Sequence, residues 1–139
     1  MQRHPVDRAA AWGAAVLAIA SLLACQRDKT HTVTAADVAT AQTEAQKEVS
    51  EARVEAKKDV KSAAKIGGGD SKDVAVARAT GAFDIAMAHA DGDHKVAIEQ
   101  CSTLAKDQQQ ACKDRADADY QTAAANAKAM RVTQLEKTT

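Results

Sequence analysis

Apolar residues recur along this chain in three rhythms, and each rhythm predicts a different element. Residues 9–24 form an uncharged run of 16 residues, Ala-Ala-Ala-Trp-Gly-Ala-Ala-Val-Leu-Ala-Ile-Ala-Ser-Leu-Leu-Ala. Beyond it the apolar positions thin to Val38, Ala41, Ala45, Val49, Ala52, Ala56, Val60 and Ala63, with steps of 3, 4, 4, 3, 4, 4 and 3. Eleven residues in three turns is ~3.67 per turn, which predicts a helix whose stripe runs nearly straight or winds gently right-handed. Further on, Phe83, Met87, Ala90, His94, Ala97, Cys101 and Leu104 alternate steps of 4 and 3, a heptad stripe.

Cap and breaker residues set the limits of these elements. Thr34-Ala35-Ala36-Asp37 reads as a helix start, with Thr34 as N-cap and Asp37 in the first turn. Nothing interrupts the helix until Gly67-Gly68-Gly69. Asp70-Ser71 can cap a second helix, and Asp107-Gln108-Gln109-Gln110 reads as a fresh N-cap with Gln at the third helical position. The expected fold class is therefore all-α and elongated. A long amphipathic, alanine-rich helix spans 34–66, a glycine-rich linker 67–71, a helical hairpin 72–131 and a C-terminal tail 132–139.

The hairpin turns on two cysteines. On one continuous helix Cys101 and Cys112 would stand about 16 Å apart, whereas a disulfide needs Cα atoms within about 7 Å. Either the chain reverses near Asp107 and the thiols pair, or the segment is one rod with two free thiols. Setting Cys101 opposite Cys112 brings Ala97 to Ala116, Ala90 to Ala123 and Phe83 to Met130, with His94 near Asp119 and Tyr120. Apolar then meets apolar along most of the seam, which favours the reversal.

Composition makes the expected core thin. Roughly a quarter of the residues are alanine, far above ordinary usage, and there is one Trp, one Tyr and one Phe. A buried alanine contributes about one methyl, roughly 0.8 kcal/mol. Long or loosely packed helices follow, without a deep pocket. Acidic residues of the long helix lie toward its start and Lys57, Lys58, Lys61 and Lys65 toward its end, an order that suits the helix dipole. Its narrow stripe faces either a partner or the chain's own neighbouring helix, and the lack of a large anchor favours the neighbour. The chain has 19 basic and 19 acidic residues. With no basic patch and few aromatics, nucleic acid is not an expected partner.

The N-terminus carries an address. Arg3 and Arg8 precede the uncharged run, which is shorter than the ~20 residues that span a bilayer and fits a signal peptide over 1–24. The run ends Leu22-Leu23-Ala24-Cys25, which resembles the lipobox of bacterial lipoproteins. The resemblance implies cleavage before Cys25, lipid on its thiol and new amine, and a tether over 25–33. Gln26, where Asp would favour the inner membrane, implies the periplasmic face of the outer membrane. The long helix is also similar in composition to the eleven-residue repeats of late-embryogenesis-abundant proteins. Asp93–Cys101, Leu104, Ala111-Cys112 and Ala116–Tyr120 together resemble a loosely defined set of Ala/Lys-rich proteobacterial envelope proteins, some labelled TolA-like. That set implies a two-cysteine helical hairpin and no activity.

Candidate chemistry is sparse. His89, Asp91, Asp93 and His94 form the one dense group of potential metal ligands, with His89 and Asp93 one helical turn apart. The alternative is an exposed stretch around Gly92. No nucleophile elbow, phosphate loop or HExxH motif occurs. The functional expectation is a lipid-anchored helical envelope protein with a structural or protein-interaction role. It would use no catalysis and no cofactor, with the membrane and an envelope protein as partners. The alternative is a small periplasmic protein that binds a metal or ligand at the His89–His94 group.

Overall fold

The structure, a computed structural model, describes residues 33–69 and 71–138. Cys25 and the signal segment lie outside the described residues. Helix α1 spans Ala35–Gly67, α2 Lys72–Ser102 and α3 Lys106–Glu136. The described residues include no strand, so the fold is all-α. None of the helices is long and apolar enough to cross a membrane.

Local chemistry accounts for most of the helix ends. The Thr34 hydroxyl accepts from the Asp37 amide, while the Asp37 carboxylate takes the Thr34 amide at 2.7 Å, a complete capping box. At the other end of α1, Gly68 adopts φ 85°, and its amide donates to the Ala64 carbonyl. Ser71 caps α2 by accepting from the Val74 amide. The start of α3 departs from expectation. Its N-cap is Ala105, which offers no side-chain acceptor, and Asp107 lies inside the first turn. The order is fixed from the other side of the turn: Gln109 Nε2 donates to the carbonyls of Ser102 (3.2 Å) and Leu104 (2.9 Å). These close the C-terminus of α2 and pull the reversal forward to 103–105.

Two further expectations are corrected. The heptad stripe stops at Cys101, because α2 ends at Ser102 and Leu104 is left exposed. The expected tail is helical as far as Glu136. Residues 132–136 hold no breaker, and Gln134 and Leu135 are half-buried.

The helices form a single flat layer. α2 packs against α1 on one side and α3 on the other, and among the described residues α1 and α3 do not touch. The seams differ in period. Ala45 abuts Gly92 and Ala56 abuts Gly81, eleven residues apart on each helix. The predicted stripe from Val38 to Ala63 is the less exposed line of α1, with Val49 buried. It is thus covered by the chain's own α2. A straight eleven-residue stripe stays in register with an equally straight partner over three turns. On the other side of α2 the heptad positions Ala90 and Cys101 are buried against Ala116, Ala124 and Ala127 of α3. Cys101 and Cys112 are joined in a disulfide, with Cα atoms 5.5 Å apart. Phe83 and Met130 line one small cleft, as the antiparallel register requires, and the Arg131 guanidinium lies 5.2 Å from the Phe83 ring centroid. Five of the eight buried apolar residues are alanine, so the seams are close but contribute little per residue.

Candidate functional site

The group around Gly92 is drawn apart by the two seams. His89 sits on the side of α2 nearest α1, where the Arg53 guanidinium donates to its Nε2 at 3.3 Å. That bond occupies the lone pair a metal would need and adds a positive charge beside it. His94 lies toward α3, its Nε2 2.6 Å from Asp117 Oδ1 and its ring 5.0 Å from the Tyr120 ring. The expected neighbour Asp119 lines the adjacent cleft. The Asp91 carboxylate attracts the Tyr120 hydroxyl proton, and this interaction first, then the carboxylate's charge and desolvation, raises the phenol above its ordinary pKa. Asp93 is exposed. The four potential ligands therefore do not converge, and no group of three or more His, Cys, Asp or Glu suited to a metal exists among the described residues. Consecutive helical positions point to different faces, so a dense run of ligands along one helix is divided when both flanks are packed.

The structure instead assembles a site from charged residues on α1 and α2 outside that group. At 100° per residue, Asp37, Glu44, Glu48, Glu51, Glu55 and Asp59 fall within an arc of about 80° on α1. Arg53, Lys57 and Lys61 fall on nearly the opposite side. α1 thus has an acidic side and a basic side. On the acidic one, the Lys95 ammonium meets Glu48 at 2.6 Å, with Asp91 and Glu44 nearby. The Glu48 hydrogen bond is the main cause raising the lysine above its ordinary pKa. On the other face a cleft of about 440 Å³ opens along the seam between α1 and α2. Its floor is Ala56 and Val60 from α1 with Ala77, Gly81 and Ile85 from α2, and its rim is Arg53, Lys57, Lys61 and Arg78. No carboxylate lines it. Among the described residues none of these four cations is in an ion pair.

The signal for the α1 half of this rim was present in the sequence as cations at 53, 57 and 61, one turn apart without an acid on their line. Arg78 could be added only once the register of α2 against α1 was known. With Ala56 on Gly81, Arg78 falls opposite the stretch between Lys57 and Lys61. The result is an alanine-rich three-helix layer whose α1–α2 seam carries a cation-rimmed cleft. Compared with protein-family models, curated proteins and solved structures, the chain has no significant match.

Proposed function

We propose that this protein is a lipid-anchored helical protein of the bacterial envelope, held at the periplasmic face of the outer membrane through Cys25 and serving a structural or protein-interaction role without catalysis. The observation that carries this reading is the flat layer. Among the described residues α2 is covered by α1 and α3 alone, which leaves the broad faces of the layer for contact. The 33 residues of α1 give a stiff element about 50 Å long. Its N-cap, Thr34, follows the lipobox-like Leu22-Leu23-Ala24-Cys25 by nine residues in the sequence. The Cys101–Cys112 disulfide supports the exported location, because such bonds persist in oxidising compartments.

Metabolic labelling with a radioactive fatty acid tests the anchor. The native chain is expected to incorporate label and to be cut before Cys25, and Cys25→Ser is expected to remain an unlabelled, uncut precursor. An unmodified N-terminus at another residue, found by mass spectrometry of the native protein, would overturn the anchor. Crosslinking of the lipidated protein in intact envelopes tests the role. Recovery of the chain without any crosslinked envelope protein would remove the interaction reading.

A further inference from the structure

The cleft between α1 and α2 combines two features that a single kind of ligand satisfies together. Its floor is apolar, with Ala56 and Gly81 in direct contact at its base. Its rim is cationic and unbalanced by any lining carboxylate. Binding sites for small molecules commonly have this build, an apolar body of a few hundred Å³ with a few oriented polar groups. A neutral apolar ligand would leave the cations unused, and an inorganic anion would leave the floor exposed.

The placement of charge narrows the occupant further. Lys57 and Lys61 stand one turn apart on α1, and the register sets Arg78 across the groove between them. Three cations therefore converge at one end of the cleft, while Ile85 and Arg53 mark the other. The cleft spans only residues 53–61 of α1, about two turns, too short for an acidic helix to set more than one or two carboxylates inside it. A bilayer surface would need apolar side chains that protrude beyond the charges, and here the apolar floor lies beneath them. A single anionic head with one apolar tail places its charge and its hydrocarbon where the groove provides for each.

We infer that the α1–α2 cleft binds a single-chain anionic amphiphile, of the alkyl phosphate or long-chain carboxylate class. Its head lies among Lys57, Lys61 and Arg78, and its tail lies along Ala56, Gly81 and Ile85. The inference concerns the groove alone and is independent of whether Cys25 carries lipid.

Photocrosslinking tests it with the whole chain reconstituted in vesicles of a zwitterionic phospholipid. The probe is a single-chain alkyl phosphate with a diazirine at the end of its tail, and crosslinks are mapped by mass spectrometry. Adducts are expected on the peptides holding residues 53–61 and 77–85. Lys57→Glu combined with Arg78→Glu should reduce them by about tenfold, the loss expected from removing charge-assisted contacts. Lys128→Glu on α3 should leave them unchanged. Both cations are exposed, so the variants should keep their helical circular dichroism. Ala82→Trp, which fills the groove from its α2 side without changing charge, should also suppress labelling. Adducts spread evenly along the helices would overturn the proposal. So would equal labelling by a matched alkyl trimethylammonium probe, or labelling by a diacyl anionic lipid in the bilayer but not by the single-chain probe.

Discussion

Gly92 and Ala45 meet with no room for a methyl group. A Cβ on Gly92 would lie 2.7 Å from the Ala45 Cβ and 3.3 Å from its Cα. Gly81 and Ala56 repeat the relationship, at 2.6 and 3.2 Å. Glycine inside a helix costs about 1 kcal/mol relative to alanine, and here it permits backbones to approach at two points along one seam. Because the obstructing atoms include backbone, Gly92→Ala should force α1 and α2 apart. Overpacking of about 1–3 kcal/mol should exceed the propensity gain, for a net loss near 1 kcal/mol in urea unfolding. Adding Ala45→Gly should restore much of it. A Gly92→Ala protein more stable than the parent would show that the seam is looser than described.

Val49 is the one buried residue of α1, at 8% exposure. Val49→Asp places an unpaired charge in the α1–α2 seam and should cost about 2–3 kcal/mol. Gln46→Asp, at an exposed position one turn away, should change stability by less than about 0.5 kcal/mol. Equal effects in thermal unfolding would mean that the stripe faces solvent.

The disulfide closes a short loop around the 103–105 turn. In the chain-entropy model, joining residues eleven apart restricts the unfolded chain by about 3 kcal/mol, a large share of a small domain's stability. Reduction should therefore lower the melting temperature markedly, with the two thiols unreactive before reduction. Rapid alkylation of both cysteines in protein trapped straight from cells would contradict the hairpin.

At the turn itself, Gln109 matters more than Asp107. Gln109→Ala removes two hydrogen bonds to carbonyls at the end of α2 and should destabilise by about 1 kcal/mol. Asp107→Ala loses only a dipole interaction, about 0.5 kcal/mol. Urea titrations that ranked Asp107→Ala as the more damaging would restore it as the cap.

Tyr120 is the sole tyrosine, so its ionisation can be followed directly in the ultraviolet spectrum. The Asp91 carboxylate beside it raises its pKa above 10.0. A group raised in the folded state stabilises below its unfolded pKa, and that contribution disappears as pH climbs through the higher folded value. The α2–α3 seam should hence lose a small increment of stability only in alkaline solution above pH 10.0. Asp91→Asn should bring the tyrosinate transition back toward the ordinary value. A transition unchanged by Asp91→Asn would show that Asp91 does not act on the phenol.

Some of this protein could be read from the order of its residues, because the information was local. The capping box at Thr34 and Asp37, the stop at Gly67–Gly69 and the helical periods depend on neighbours within a few positions. The antiparallel seam joining Phe83 to Met130 was also legible, since two cysteines fixed its register. The turn lies two residues earlier than Asp107 suggests because Gln109 reaches back to Ser102 and Leu104, a contact that exists only after the chain reverses. The separation of His89, Asp91, Asp93 and His94 was decided by packing on both flanks of α2. The cationic cleft was half legible, in Arg53, Lys57 and Lys61, but Arg78 joined them only through the fit of Gly81 onto Ala56. Helix periodicity specifies which residues share a face. Only the tertiary contact, set by where two backbones can approach most closely, decides which faces meet.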